Sequence, residues 1–187
     1  MRVLVVCALL AIGLAACADR RHGDTAALED QMFLSTALAH AQSEYELAQL
    51  ATTKAHTPSV VAYAKRVSGE RAPLSDQLAA MAHAAGLSAD TEHTPDPARF
   101  ADLSGEAFER AYIASQIEDQ QNAIEDFSFA AKRPHDPALE KIAADALPQL
   151  KADYTDAIEV VYDIPFETEA EGAPEPDMGA GAVGKRH

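Results

Sequence analysis

The sequence predicts an all-α protein folded as an antiparallel four-helix bundle, and three observations support this class. Four long stretches are rich in Ala, Leu, Glu and Gln, which favour helices. No window shows the apolar and polar alternation that is typical of a half-buried strand. The second of the three connections between these stretches is far longer than the other two. Two antiparallel hairpins joined by a crossover, as in ferritin-like bundles, require a short connection within each hairpin and a long connection between them.

Each predicted helix is bounded by recognisable sequence signals. Thr57-Pro58 and Asp136-Pro137 both place a capping residue directly before a proline, a combination that is typical of the first helical turn. Gly86 follows the second helix, and the polar connection Leu87–Leu103 separates it from Ser104, where the third helix begins. The predicted helical ranges are about 25–53, 58–85, 104–132 and 137–163.

The N-terminus has the layout of a bacterial lipoprotein signal. Arg2 precedes the short hydrophobic run Val3–Ala16, and two alanines stand directly before Cys17. A charged head, a short apolar segment and small residues at the cleavage point are the parts of an export signal. The sequence Leu14-Ala15-Ala16-Cys17 resembles a lipobox, in which the cysteine is lipidated on its thiol and becomes the new N-terminus. The alternatives are an ordinary export signal with a chance cysteine, or an uncleaved anchor.

The chain divides into four predicted parts. Residues 1–16 are the signal peptide, residues 17–24 a polar tether, residues 25–165 the bundle and residues 166–187 a disordered acidic tail. Cys7 leaves with the signal, so the mature chain has no cysteine pair for an intrachain disulfide. The net charge of −15 repels phosphate backbones, which argues against nucleic-acid binding. Lipid on Cys17 is therefore the predicted attachment to a membrane.

Every predicted helix buries one seam of apolar residues at spacings of three and four, and each seam has a single polar interruption near its middle. These interruptions are Glu44, Arg71, Gln120 and Asp153. A buried unpaired charge is costly, so we expect the guanidinium of Arg71 to pair with both carboxylates while Gln120 bridges the remainder. The alternative is that Arg71 reaches solvent and the carboxylates lie at the seam edges.

Glu70, Tyr112 and Tyr154 are candidate supporting members of this cluster because they lie near it in sequence, although a tyrosine there more often only packs. A metal centre is not predicted. Di-iron bundles use Glu-x-x-His pairs on two helices, and neither Glu-x-x-His nor Asp-x-x-His occurs in the four predicted helices. Arg71 would also supply the positive charge that a metal brings, and it would repel a cation.

Four stretches resemble a bacterial family of exported proteins, domain-of-unknown-function family 4142. They are Ser43–Ala48, Val60–Val67, Leu103–Tyr112 and Ala146–Leu150, and the similarity extends over about Gln31–Val161. The resemblance implies a ferritin-like bundle, and relatives are often described as outer-membrane proteins.

The family pattern places histidines at three positions near the centre of the bundle. At these positions this chain has Arg71, Gln120 and Asp153, whereas the glutamate of the pattern is retained as Glu44. If relatives bind metal there, the resemblance implies that this chain has exchanged the metal site for an ion-pair network. No cofactor is therefore predicted.

The predicted function is that of a lipid-anchored protein on the periplasmic face of a bacterial membrane, without a catalytic centre and with a structural or interaction role. Ala18 directly after Cys17 favours the outer membrane, by resemblance to enterobacterial sorting, whereas Asp19 weighs against it. An envelope protein is the expected partner, and the sequence does not indicate which one. The alternative is a di-metal oxidase of iron or manganese, or a metal-binding stress protein, with Glu44, Glu70 and Asp153 as ligands.

Overall fold

A computed structural model describes residues 3–92, 96–132 and 136–165, with side chains described from Thr25 onward. Within these ranges the chain is helical and contains no strand. The predicted all-α class with four helices is confirmed. The predicted tail, residues 166–187, lies outside the described residues. The elements are α1 (Val3–Lys54), α2 (Pro58–Ala85), α3 (Gly105–Ala130) and α4 (Pro137–Val161), with a short 3-10 turn at Pro97–Phe100 before α3.

Helix α1 begins well before the predicted start at Thr25. It includes Val3 onward, so the segments interpreted as signal peptide and tether are helical as far as the structure describes them. No proline interrupts this stretch, and its Ala, Leu and Arg residues favour a helix. Among the described residues, no helix combines the length and the hydrophobicity needed to cross a membrane.

The helices form two antiparallel hairpins. Helix α1 packs mainly against α2, and α3 packs mainly against α4; α1 also contacts α3, and α2 contacts α4. The connection after α2 runs back along α1, because the Asp90 amide donates to the Ser35 carbonyl and Lys54 Nζ later donates to the Phe100 and Leu103 carbonyls. Helix α3 therefore begins at the same end as α2. This is the predicted arrangement of two hairpins joined by a long crossover.

Helices α2, α3 and α4 begin and end close to the predicted positions, although neither Thr57 nor Ser104 makes a side-chain capping hydrogen bond. Pro58 and Pro137 open α2 and α4, and the Asp136 side chain accepts from the Ala138 amide at 2.8 Å. Gly86 ends α2 with a φ of 70°, a left-handed conformation in which glycine has no steric penalty. The crossover was predicted to be polar, yet Phe100 is buried in the core beside α1.

A buried glutamate joins the first hairpin to α3. Glu109 on α3 accepts hydrogen bonds from the Thr57 amide at 2.7 Å, the Thr57 hydroxyl at 2.6 Å and the His56 amide. These donors lie at the start of α2, where backbone amides lack partners within the helix. Burial alone would raise the pKa of Glu109, but the hydrogen bonds from Thr57 and His56 lower it below its ordinary value. The carboxylate thus caps a helix from outside it.

Two apolar clusters fill the bundle, one toward each end. One cluster surrounds Leu47, Val60, Phe108 and Ile113, and the other surrounds Leu34, Leu78, Phe127 and Leu150. Between them, every helix contributes a buried polar or charged side chain. This polar layer, defined by Glu44, Arg71, Gln116, Gln120 and Asp153, is the candidate functional site.

Candidate functional site

Arg71 lies at the centre of the polar layer and contacts one residue from each of the other three helices. Its Nε donates to Glu44 on α1, and its Nη2 donates to Gln120 Oε1 on α3 at 3.0 Å and to Asp153 Oδ2 on α4 at 2.7 Å. The side chains of Arg71 and Glu44 are each only 2% exposed, and Asp153 is completely buried. The structure thus brings together the four residues that interrupt the seams, and the guanidinium lies in the core and not in solvent.

The two carboxylates keep Arg71 charged. Burial alone would lower the pKa of Arg71, but the negative charges of Glu44 and Asp153 raise it above its ordinary value. Charge-assisted hydrogen bonds of this kind are stronger than neutral ones. Glu44 and Asp153 carry two negative charges, whereas Arg71 carries one positive charge. A buried carboxylate without a partner is costly, so a second positive charge is needed close to them.

Arg66, a residue that the sequence reasoning missed, supplies this second positive charge. It binds the free oxygen of Asp153, and its Nη2 lies 2.7 Å from Asp156 Oδ2. Gln149 Nε2 also donates to Asp153 Oδ1 at 3.2 Å. Arg66 does not interrupt an apolar seam, so the search for polar seam residues could not find it. Its only sequence signal is that it stands on α2 with Arg71, five residues away.

The three candidate supporting residues differ in their placement. Glu70 is half-buried, and its pKa is raised to about 7 by burial and by the charge of Asp153. Tyr112 is fully buried and stacks on Phe108, with 6.1 Å between ring centroids. Tyr154 is only half-buried and makes no hydrogen bond to the four central residues. Glu70 therefore adjoins the network, Tyr112 packs beside it, and Tyr154 is not part of it.

Several polar atoms of the layer have no hydrogen-bond partner among the described residues. The buried glutamine Gln116 is one turn before Gln120 on α3, and neither polar atom of its amide is paired. Glu44 Oε1 and Gln120 Nε2 in the layer are also unpaired, as are three atoms beside it: Glu70 Oε2 and the hydroxyls of Tyr63 and Tyr112. Buried polar groups are almost always paired in folded proteins, so this layer is energetically expensive. Sequence spacing could have identified Gln116, because it shares a face with Gln120.

Asp119 is a second buried acid close to this layer. It is 5% exposed, and Ser115 Oγ donates to its Oδ2 at 3.0 Å. Burial raises its pKa to about 7; the hydrogen bond from Ser115 opposes this shift, and the charges of Glu44 and Glu118 add to it. No arginine pairs with Asp119 among the described residues. The carboxyl group is therefore protonated in the folded protein under mildly acidic conditions.

The donor set of the layer does not fit a metal centre. A guanidinium stands at its middle, and a permanently charged Arg71 repels a cation. In the part of the chain that the structure describes, no three His, Cys, Asp or Glu side chains converge as a metal site would require. His40 is buried, but its Nδ1 has no partner and no such group surrounds it. The arrangement suits charge compensation between side chains of the four helices.

Comparison with known proteins gives one family match and several fold matches. The sequence model of the family described as a domain of unknown function, DUF4142, matches residues 16–160. No curated protein matches this sequence. Among solved structures, the Cu(II)-bound form of CopM is 18% identical with a TM-score of 0.60, and the match covers 72% of this chain and 96% of CopM.

Two further fold matches are members of another family of unknown function, DUF305. The fragment from Deinococcus radiodurans is 16% identical with a TM-score of 0.62, over 72% of this chain and 95% of that fragment. The secreted protein from Streptomyces coelicolor is 11% identical with a TM-score of 0.62, over 72% of this chain and 93% of that one. At these identities the similarity establishes the helical-bundle fold and nothing further.

Proposed function

The chain belongs to the DUF4142 family, and from that premise we propose that it is an exported, lipid-anchored protein of the bacterial envelope with a non-catalytic bundle. The proposal places Cys17 at the membrane through covalent lipid and the bundle on the periplasmic side, with the outer membrane favoured. The arrangement Arg2, Val3–Ala16, Cys17 supports export and lipidation. The ferritin-like relationship and the structural or interaction role remain part of this proposal.

The observation that carries the non-catalytic role is the position of the Arg71 guanidinium. It lies at the centre of the bundle, where di-metal four-helix proteins bind their cations. It donates hydrogen bonds to side chains on the other three helices. A catalytic centre needs an open position for substrate, whereas the charges here neutralise one another within the protein. We therefore propose that the layer serves to hold the four helices in one register.

A metal-related function is the second candidate. Solved structures of CopM hold Cu(II), Cu(I) or silver, and their fold is similar to that of this chain. In this alternative, the metal ligands would be Glu44, Glu70 and Asp153. However, Arg71 binds Glu44 and Asp153, so a metal ion would have to displace a buried guanidinium from both.

Membrane attachment is tested by removing each cysteine in turn. We expect the full chain, expressed in a Gram-negative host with an alkyne-labelled fatty acid, to carry the label and to sediment with membranes. Cys17→Ser should lose both the label and sedimentation, because the lipidated thiol is absent. Cys7→Ser is the matched control and should behave as the unmodified protein, since this residue lies in the signal. A labelled, membrane-bound Cys17→Ser variant would contradict the proposal.

Elemental analysis separates the two candidate functions. We expect the detergent-solubilised protein, purified without chelators, to carry only traces of iron, manganese and copper. The physical reason is that Arg71 already compensates the buried carboxylates. Stoichiometric metal that is lost in Glu44→Gln would establish the alternative and refute the non-catalytic reading.

A further inference from the structure

A groove of about 550 Å³ lies between α2 and α4, beside the polar layer. Helix α2 contributes Arg71, Leu74 and Gln77 to it, and α4 contributes Ile142 and Gln149. The groove extends along α2 from Arg71 to Gln77, which is about 9 Å at a rise of about 1.5 Å per residue. One end of the groove is therefore the polar layer, and the other end lies toward the beginning of α4.

Two prolines inside helices border this groove. Pro73 of α2 is one of its lining residues, and Pro148 of α4 directly precedes Gln149. A proline within a helix lacks the backbone N–H, and its ring clashes with the carbonyl four residues earlier, so helices commonly kink there. Helix α2 packs against α4 less extensively than against α1. The two prolines give a physical reason for an opening between these helices.

The Arg71 guanidinium has donors that the polar layer does not use. Its Nε and Nη2 donate to Glu44, Gln120 and Asp153, whereas Nη1 makes no hydrogen bond among the described residues. Nη1 is not one of the fully enclosed unpaired atoms, so it reaches solvent although the side chain is only 2% exposed. Because Arg71 lines the groove, this small accessible part of its side chain faces it. Two N–H groups of a buried cation are thus directed into the groove.

Gln149 places a hydrogen-bond acceptor beside these donors. Its Nε2 donates to Asp153 Oδ1 at 3.2 Å, and Arg71 Nη2 donates to Oδ2 of the same carboxylate at 2.7 Å. A carboxylate only accepts hydrogen bonds, so this contact determines which end of the Gln149 amide faces Asp153. Gln149 Oε1 has no partner among the described residues and is not enclosed. The groove therefore presents N–H donors and an acceptor oxygen side by side.

The charges at this end of the groove favour a neutral ligand. Arg71 already pairs with Glu44 and Asp153, and Glu70 adds another carboxyl group to the groove lining. An anion would be repelled by these carboxylates, and a cation would be repelled by the guanidinium N–H groups that it would meet first. A neutral amide matches both polar partners, because its carbonyl oxygen can accept from Arg71 Nη1 while its N–H donates to Gln149 Oε1.

Apolar side chains continue the groove beyond its polar end. Leu74, Ile142 and Ala146 line it, and all three are partly buried against the apolar cluster that surrounds Leu78 and Leu150. A chain of methylene groups lying on these side chains would lose its contact with water, which favours binding. The groove thus combines a polar end that matches an amide with an apolar surface that matches a hydrocarbon chain.

We infer that this groove binds a small neutral amide with an apolar chain. The amide carbonyl accepts from Arg71 Nη1, the amide N–H donates to Gln149 Oε1, and the chain lies on Leu74, Ile142 and Ala146. The site binds this ligand without a reaction. It depends on the Arg71 contacts and not on membrane attachment or metal content, so it can fail while the proposed function holds.

NMR titration of the purified, isotope-labelled full chain with hexanamide tests the inference. We expect saturable shifts of the Gln149 side-chain amide, with a Kd in the millimolar range because the ligand is small. Hexanoate, hexylamine and acetamide should each bind at least about tenfold more weakly, since the first two are charged and the third lacks the apolar chain.

Two substitutions test the place of binding. Ala146→Leu should weaken hexanamide binding at least about tenfold, because the larger side chain occupies the surface on which the ligand chain lies. Gln149→Met keeps the size of the side chain and removes its acceptor oxygen, so binding should weaken about fivefold, the loss of one hydrogen bond. For this variant the shifts of the Leu74 methyl groups report binding.

Ala144→Leu is the matched control, because Ala144 is exposed on α4 and lies outside the groove. The same change at this position should leave the Kd within about twofold of that of the unmodified chain, since substitutions at separate sites act independently. Equal weakening by Ala146→Leu and Ala144→Leu, binding of hexanoate as tight as that of hexanamide, or no binding of hexanamide would each overturn the inference.

Discussion

Replacing Arg71 with leucine is expected to destabilise the bundle by about 3–5 kcal/mol. The substitution removes the cation that pairs with Glu44 and leaves Asp153 with the partly exposed Arg66 and the neutral amide of Gln149. Both carboxylates stay buried, and a buried charge without a partner is among the costliest defects that a substitution can introduce. Urea unfolding followed by circular dichroism gives the free energy of unfolding directly, because small single domains usually unfold in one transition.

Lys65→Leu is the matched control for this substitution. Lys65 is exposed on the same helix, so the same change from a cation to leucine should alter stability by no more than about 0.5 kcal/mol. Adding Glu44→Gln to Arg71→Leu should recover part of the loss, since the variant then buries one charge fewer. Equal effects of Arg71→Leu and Lys65→Leu would show that Arg71 is solvated and that the network does not form.

Replacing Asp119 with asparagine is expected to stabilise the protein at pH 8 by on the order of 3 kcal/mol. Burial raises the pKa of Asp119 from 3.8 to about 7 in the folded chain. The folded state therefore binds a proton more tightly than the unfolded state, and stability decreases as the pH rises between these two values. Above pH 7 the folded protein must bury an ionised carboxylate, whereas asparagine keeps the Ser115 hydrogen bond without that charge.

The pH dependence makes this second prediction specific. The advantage of Asp119→Asn should be fully present at pH 8, should decrease as the pH falls from 7 toward 4, and should disappear below 3.8, where the carboxyl group is mostly protonated in both states. Urea unfolding of both proteins at each pH gives the difference, so titrations that they share cancel. Glu118→Gln is the control, because its exposed neighbouring carboxylate should give no comparable gain. A gain that is the same at both pH values would contradict the pKa assigned to Asp119.

We propose that the polar layer contributes more to specificity than to stability. A buried ion pair commonly contributes less than an apolar pair of the same volume, because both charges must leave water. The layer separates two apolar clusters, whose side chains alone carry no charge that would favour one alignment of the helices. In the register that the structure shows, Arg71 reaches Glu44, Gln120 and Asp153 together. We therefore expect the network to select the alignment of the four helices.

The local features of this fold could be predicted from the sequence by itself. Helix propensity, the Thr57-Pro58 and Asp136-Pro137 signals and the αL glycine Gly86 act over a few residues, so they determined four helices and most of their ends. The long connection determined the crossover. A single polar interruption in each apolar seam also indicated Glu44, Arg71, Gln120 and Asp153, because the cost of burying an unpaired charge constrains any bundle built from these seams.

Other features depended on contacts between distant parts of the chain, and only the tertiary structure decided them. Arg66 joined Asp153 because α4 lies against that flank of α2, and Glu109 became a cap because α3 begins beside Thr57. Phe100 entered the core from a connection that looked polar. The physical reason is that periodicity reports which face of a helix is buried. It does not report which helices become neighbours, and burial by those neighbours sets the partners and pKa values of charged groups.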